Sequence, residues 1–272
     1  MDEQKYPQRA QTANERAERT KKEGKKKKRH SLIAILILAV IALGIYFGYS
    51  YIQDYYRASE SAQEILEQDA AEDGITVTEA DGQITFAPEN PVAGFIFYPG
   101  GKVEYTAYAP LLYELAKNDI FCVLVHMPAN LAVLDQNAAK GIPEAYPEIS
   151  TWYIGGHSLG GAMAASYVSK HTDEYAGLFL LAAYSTADLS ESNLSVTCIY
   201  GANDGVMNRE KYEKYKANLP EASTQEIVID GGIHSYFGDY GLQDGDGTPE
   251  ISRAEQVETT VDFMTMVIKG TK

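Results

Sequence analysis

Residues 151–165 constrain the chain more than any other stretch. They open with β-branched and aromatic residues, Thr151 to Ile154, which favour a strand. They break at glycines and continue into an alanine-rich run that favours a helix. At the break stands Gly156-x-Ser158-x-Gly160. A sharp strand-to-helix turn of this kind holds its central serine at a strained backbone angle, with the hydroxyl exposed above a sheet. Small residues two positions to either side are needed because a Cβ there would meet the neighbouring strand and helix. The next residue, Leu159, opens the helix, so its backbone N–H is placed to face a developing oxyanion. The plainer alternative is a glycine-rich turn that only packs a strand on a helix. Strand before, helix after and a further glycine at Gly161 favour a nucleophile.

The flanking pattern repeats strand and helix. Residues 75–78 and 83–86 flank Asp81-Gly82, a hairpin signal. Residues 94–98 form a continuous apolar run, as a buried parallel strand does, and end in Pro99-Gly100-Gly101-Lys102. Helical spacing follows over 104–117, then a buried strand at 120–125 and a short helix at 131–140. After the serine come strands at 177–183 and 196–200, a helix at 208–218 and a strand at 225–229. A glycine-rich loop over 231–248 and a helix over 251–268 close the chain. An opening hairpin followed by alternating strands and helices predicts an α/β fold: a mostly parallel sheet with helices on both faces.

In this order of elements an acid is expected after a later strand and a histidine near the end. Strand 196–200 runs into Asp204, and strand 225–229 runs into His234. Loops at the carboxyl ends of parallel strands share one sheet edge, so Ser158, Asp204 and His234 are expected to meet. His30 lies in the N-terminal tail, His171 ends a helix, His157 precedes the serine, and His126 ends a strand ahead of it. The plainer role for Asp204 is a turn aspartate capping a helix.

At these residues the chain resembles the α/β-hydrolase superfamily, and more narrowly the small bacterial α/β-hydrolase fold-5 group. The matching stretches are residues 98–103, 155–161, 200–204 and 231–241, and the resemblance covers about residues 74–269. It implies Ser158 as nucleophile, Asp204 as acid and His234 as base. Oxyanion donors would be the backbone of Leu159 and of either Gly101 or Lys102. Ile233 departs from the group, where a polar asparagine is expected before the histidine. The resemblance implies acyl-transfer chemistry without naming a substrate. This chemistry needs no cofactor and no metal. It fits an ester hydrolase, and equally an amidase, peptidase or acyltransferase; a non-catalytic binding module on the same fold is the reading from another class.

Charge divides sharply along the chain. Residues 1–30 hold 11 Lys and Arg against 5 Asp and Glu, whereas the remainder holds 12 basic against 33 acidic residues. So acidic a main portion would repel phosphates, which argues against nucleic acid as partner. The run Lys25 to Arg29 precedes an almost wholly apolar stretch, residues 31–51. Twenty-one residues make a helix of roughly 31 Å, the thickness of a bilayer core. Tyrosines and a phenylalanine gather at its C-terminal end, as interfacial anchors do, and the basic cluster before it predicts a cytoplasmic N-terminus. A cleaved signal peptide is disfavoured by the length and by the lack of a nearby Ala-x-Ala site. The expected organisation is a basic, unstructured cytoplasmic tail (1–30), a transmembrane signal-anchor helix (31–51), an acidic spacer (52–73) and an extracellular catalytic domain (74–272) at the cell membrane.

Three smaller expectations complete the reading. Cys122 and Cys198 lie inside apolar strand patterns; the strand order implied by the resemblance sets them too far apart for a disulfide. Asp239, Asp244 and Asp246 read as a solvated acidic turn, since their spacing is incomplete for a calcium loop. Only twelve residues, 184–195, follow the strand where many relatives insert a lid. A shallow, open site follows, suited to short acyl esters or to acyl groups on a small molecule or a surface polymer.

Overall fold

The computed structural model describes residues 6–67 and 73–270, and the chain divides into two units at Gln53/Asp54. The first is one helix, α1 (Tyr6–Gln53). Its portion Ile35–Gln53 is exposed and is long and apolar enough to cross a membrane. The unstructured tail expected over 1–30 is helical from Tyr6 onward. Lys, Arg, Glu, Gln and Ala dominate it and lose little side-chain freedom in a helix, and Pro7 sits in the first turn, where its missing N–H costs nothing. Residues 1–5 lie outside the described residues.

The second unit starts with an extended run, residues 54–59, and α2 (Glu60–Glu67). The sequence reading takes this region for a spacer, yet it is part of the domain. Tyr56 bridges Val103 in parallel register; its N–H is donated to the Lys102 carbonyl at 2.8 Å and its carbonyl accepts from Glu104 N–H at 2.8 Å. Ala62 is fully buried, and Ile65 and Leu66 pack on the core. An amphipathic helix of about two turns has no stable existence in water and gains its structure by burying that face.

The sheet is built from β1 (Ile75–Ala80), β2 (Gln83–Pro88), β3 (Ala93–Tyr98), β4 (Ile120–Val125), β5 (Trp152–His157), β6 (Gly177–Leu181), β7 (Ser195–Gly201) and β8 (Thr224–Ile229). Its order is β1-β2-β4-β3-β5-β6-β7-β8. β1 pairs β2 and β2 pairs β4 antiparallel, and the remaining pairs are parallel. The hairpin turn is Asp81-Gly82, with φ of 51° and 76°, the two left-handed residues that match strand twist. β3, β4, β5 and β6 are buried along their whole length, which is why they read as unbroken apolar runs. Phe95 meets Phe97 and Phe179 edge-to-face at 6.0 and 5.7 Å. Cys122 on β4 and Cys198 on β7 are free and buried, with three strands between them.

The helices are α3 (Ala109–Ala116), α4 (Ile142–Ala145), α5 (Leu159–Val168), α6 (Arg209–Tyr215) and α7 (Arg253–Lys269). α2 packs on α3, and α3 on α7. Asn208 caps α6 by accepting from Lys211 N–H, and Ser252 with Glu255 forms a capping box on α7. The helix expected at 131–140 is absent. Short 3-10 turns, Pro128–Asn130 and Ala132–Leu134, precede α4 instead, because Leu131 (φ −130°, ψ 103°) and Asp135 (φ −145°, ψ 77°) leave the helical region within that span. The strand expected to reach residue 183 stops at Leu181, where Ala182 turns left-handed. From β3 the chain goes outward to β4 and returns past β3 to β5. The crevice between the carboxyl ends of β3 and β5 is therefore a topological switch point, where ligands bind in open α/β sheets.

Candidate active site

Ser158 stands between β5 and α5 with φ 51° and ψ −122°, a backbone conformation that non-glycine residues avoid. Its neighbours explain how the strain is held. A Cβ on Gly156 or on Gly160 would run into the Tyr98 carbonyl oxygen at the end of β3, so both must lack one. Ser158 N–H is donated to the Leu181 carbonyl at 2.9 Å, and its own carbonyl accepts from Ala162. The hydroxyl makes no hydrogen bond among the described residues and remains half-exposed at the switch point.

Asp204 lies beyond the end of β7 and is buried. One carboxylate oxygen accepts from the backbone N–H of Val206 at 2.9 Å and Met207 at 2.8 Å. The other faces His234 Nδ1 at 2.9 Å, with both side chains almost wholly out of solvent. Three bonds thus fix the carboxylate. His234 follows β8 and sits at the same sheet edge, and its Nε2 is buried without a hydrogen-bond partner among the described residues. Asp204 does not cap α6, which Asn208 caps; its first oxygen closes the turn through Val206 and Met207, and its second meets His234.

A family model described as the alpha/beta hydrolase family matches residues 94–258. The chain belongs to the alpha/beta hydrolase family. No curated protein matches it in sequence. Among solved structures, this hydrolase-family chain is similar to a carboxyl esterase 2 from Tuber melanosporum, at 12% identity and TM-score 0.55, covering 80% of this chain and 91% of that one. It is also similar to a thermostable esterase from Pseudomonas putida, at 16% identity and TM-score 0.52, covering 77% and 86%. A third is a predicted CIB-like hydrolase from Thermoplasma acidophilum, at 14% identity and TM-score 0.52, covering 71% and 99%. At such identities the likeness is one of fold.

Within this hydrolase-family fold the loop after β3 distinguishes the two residues the sequence leaves open. Lys102 is left-handed, with φ 59°, and its N–H is donated to the Asn130 carbonyl at 2.8 Å. Gly100 N–H is donated to the Tyr108 hydroxyl at 3.1 Å. Gly101 N–H has no acceptor among the described residues. A Cβ on Gly101 would sit 2.7 Å from Leu159 Cδ2, so its backbone lies close against the first residue of α5. Of the two, the Lys102 N–H is thus occupied, whereas the Gly101 N–H has no acceptor among the described residues.

His157, unassigned in the sequence, is also part of this architecture. Tyr108 Oη accepts from Gly100 N–H and shares a hydrogen bond with His157 Nδ1 at 2.8 Å. The imidazole ring lies 4.5 Å from that of His234. Burial, and secondarily the neighbouring His234, hold His157 well below the usual imidazole range, so it is neutral. The residues that hold His234 were equally invisible. Ile233, the departure from the family pattern, is buried, and its backbone N–H and carbonyl are both bonded by the Gln256 amide of α7, at 2.9 and 2.8 Å.

Proposed function

We propose that this chain is a membrane-anchored serine hydrolase that cleaves carboxylic esters through Ser158, His234 and Asp204. The observation that carries the reading is the buried Asp204–His234 pair, whose vacant Nε2 shares a sheet edge with the strained, unpartnered Ser158 hydroxyl. His234 Nε2 takes the Ser158 proton as Oγ attacks the ester carbonyl. Asp204 holds the imidazole with Nδ1–H inward and stabilises the imidazolium. The tetrahedral oxyanion is met by the N–H groups of Leu159 and Gly101, each worth about 2.7–4 kcal/mol by comparison with measured donors. Collapse expels the alcohol, which leaves with the proton held on His234. Water, deprotonated by the same nitrogen, then releases the acid and restores the hydroxyl.

Several observations favour an ester of modest size. Two of the similar structures are named as esterases, and another as a monoglyceride lipase from Saccharomyces cerevisiae. The connection between β6 and β7 contains no helix that would make a lid. A groove of about 590 Å³ is lined by Tyr212, Lys216 and Glu226, and one of about 450 Å³ by residues of α3 and α7; neither touches Ser158. The apolar part of α1 supplies the anchor, with the basic residues before it on the cytoplasmic side and the catalytic domain outside. Substrate is then a short acyl ester or an acyl group on a surface polymer.

A fluorophosphonate probe tests the chemistry. Wild-type protein takes one label and Ser158→Ala takes none. Wild type that stays unlabelled, or labelling that persists in the alanine variant, overturns the assignment.

A further inference from the structure

Asp246, within the glycine-rich loop that follows His234, is read from sequence as a solvated turn residue. In the structure it is half-buried and its carboxylate accepts five hydrogen bonds. Oδ1 accepts from the backbone N–H of His234 at 3.1 Å, Gly205 at 3.2 Å and Gly247 at 2.8 Å. Oδ2 accepts from the backbone N–H and the hydroxyl of Ser235, both at 2.8 Å. One oxygen thus touches the base itself and the residue beside the acid. We propose that Asp246 is a positioning residue for catalysis: its carboxylate ties the loop carrying Asp204 to the turn carrying His234 and so sets the geometry of that pair. The proposal rests on reading Ser158, Asp204 and His234 as the triad.

Charge is part of the device. A carboxylate offers acceptors on both oxygens and no donor, so all five bonds are satisfied at once; an amide would turn an NH2 toward Ser235. Burial pushes the Asp246 carboxyl up, but the bonds from Ser235, Gly205 and Gly247 outweigh it and hold the group below the ordinary carboxylate range, so it stays ionised. Beyond this clamp, Asn203 Nδ2 reaches the Thr248 carbonyl at 3.0 Å and Asn203 N–H the Gly232 carbonyl at 2.9 Å. Apart from the Asp204–His234 pair itself, Asp246 is, among the described residues, the side chain bonded to both catalytic loops. A displacement of about 1 Å at a catalytic group costs about 100-fold in rate, without altering how substrate is bound elsewhere.

Full-length protein in detergent micelles, as wild type, Asp246→Ala and Asp246→Asn, separates positioning from mere folding. With p-nitrophenyl acetate, kcat is expected to fall about 100-fold in D246A and about tenfold in D246N, with KM within twofold. The low-field proton resonance of His234 Nδ1–H on Asp204 is expected to weaken in the same order. A folded D246A that keeps wild-type kcat and the resonance overturns the proposal, as does a loss confined to KM. If D246A does not fold, D246N, which retains the Oδ1 bonds, decides by the same readouts. If the wild type hydrolyses no ester and takes no fluorophosphonate, the triad reading has failed, and the resonance alone still tests whether Asp246 holds the pair: its persistence in both variants overturns the proposal.

Discussion

At the scale of single residues, the site combines buried polar groups held by defined partners with the His234 Nε2, which has none among the described residues. The chain Gly100 N–H, Tyr108 Oη, His157 Nδ1 links the loop after β3 to the ring next to His234. Burial, and secondarily the neighbouring His234, keep His157 neutral in the fold, which has a consequence for pH. The folded-state pKa of His157 is depressed, so below about pH 6.5 the unfolded chain takes up a proton that the folded chain refuses. Stability is therefore full above that pH and lost as pH falls, with a slope contribution approaching about 1.4 kcal/mol per pH unit. Urea denaturation of a fragment spanning residues 54–272, from pH 7.5 to 5, checks this. His157→Asn is expected to lower stability at pH 7.5 yet to flatten the pH slope; identical slopes in the two proteins count against a buried neutral imidazole.

Among elements, the segment before β1 carries the clearest consequence. Residues 54–67 lie across both loops that serve the site. Tyr56 bonds the backbone at Lys102 and Glu104, Asp54 pairs with Lys102 Nζ at 2.7 Å, and Ala58 N–H reaches the Glu104 carboxylate at 2.9 Å. On the other side Ser59 N–H reaches the Asp239 carbonyl at 2.8 Å, Ser61 Oγ its carboxylate at 2.6 Å, and the Tyr56 ring lies 5.7 Å from that of Tyr240. Asp239 is further fixed by Arg253 of α7 at 2.9 Å. The strap thus braces the loop that carries Gly101 and the loop beyond His234. Burying Ala62 and parts of Tyr56, Ile65 and Leu66 contributes on the order of 3–6 kcal/mol. A fragment starting at Asp54 is expected to fold and take the fluorophosphonate label. One starting at Gly74 is expected to melt at least 10 °C lower and to label at least tenfold more slowly. Equal melting and labelling would show the strap to be dispensable.

Over the whole molecule, what bears on substrate size is a well-filled sheet whose β6–β7 connection carries no helix to serve as a lid. The grooves beside α6 and α7 are not lined by Ser158. Long acyl chains then gain little burial, at about 25 cal/mol per Å² of apolar surface. In a nitrophenyl ester series kcat/KM is expected to be highest at two to four carbons and to fall by twelve. A maximum at twelve carbons would reveal an apolar channel. The anchor is tested on intact cells, where extracellular protease should reach the catalytic domain and spare the tail; trimming of the tail alone reverses the orientation.

What was legible in the linear chain was local or periodic. Unbroken apolar runs announce central strands, Asp81-Gly82 announces a hairpin, and the spacing around Ser158 announces a turn that only small neighbours permit. Chain order then places Asp204 and His234 at one edge, because parallel strands all end on the same side. Hydrogen-bond partners distant in sequence carry no such period. That Lys102 gives its N–H to Asn130, that Asp246 joins Gly205 to His234, that Gln256 holds Ile233 and that Tyr56 lies beside Val103 are decided by how loops pack once the sheet exists. The same limit explains why residues 54–67 look like a spacer and residues 131–140 like a helix. Their composition permits either conformation, and the choice is made by burial against surfaces that only the assembled domain provides.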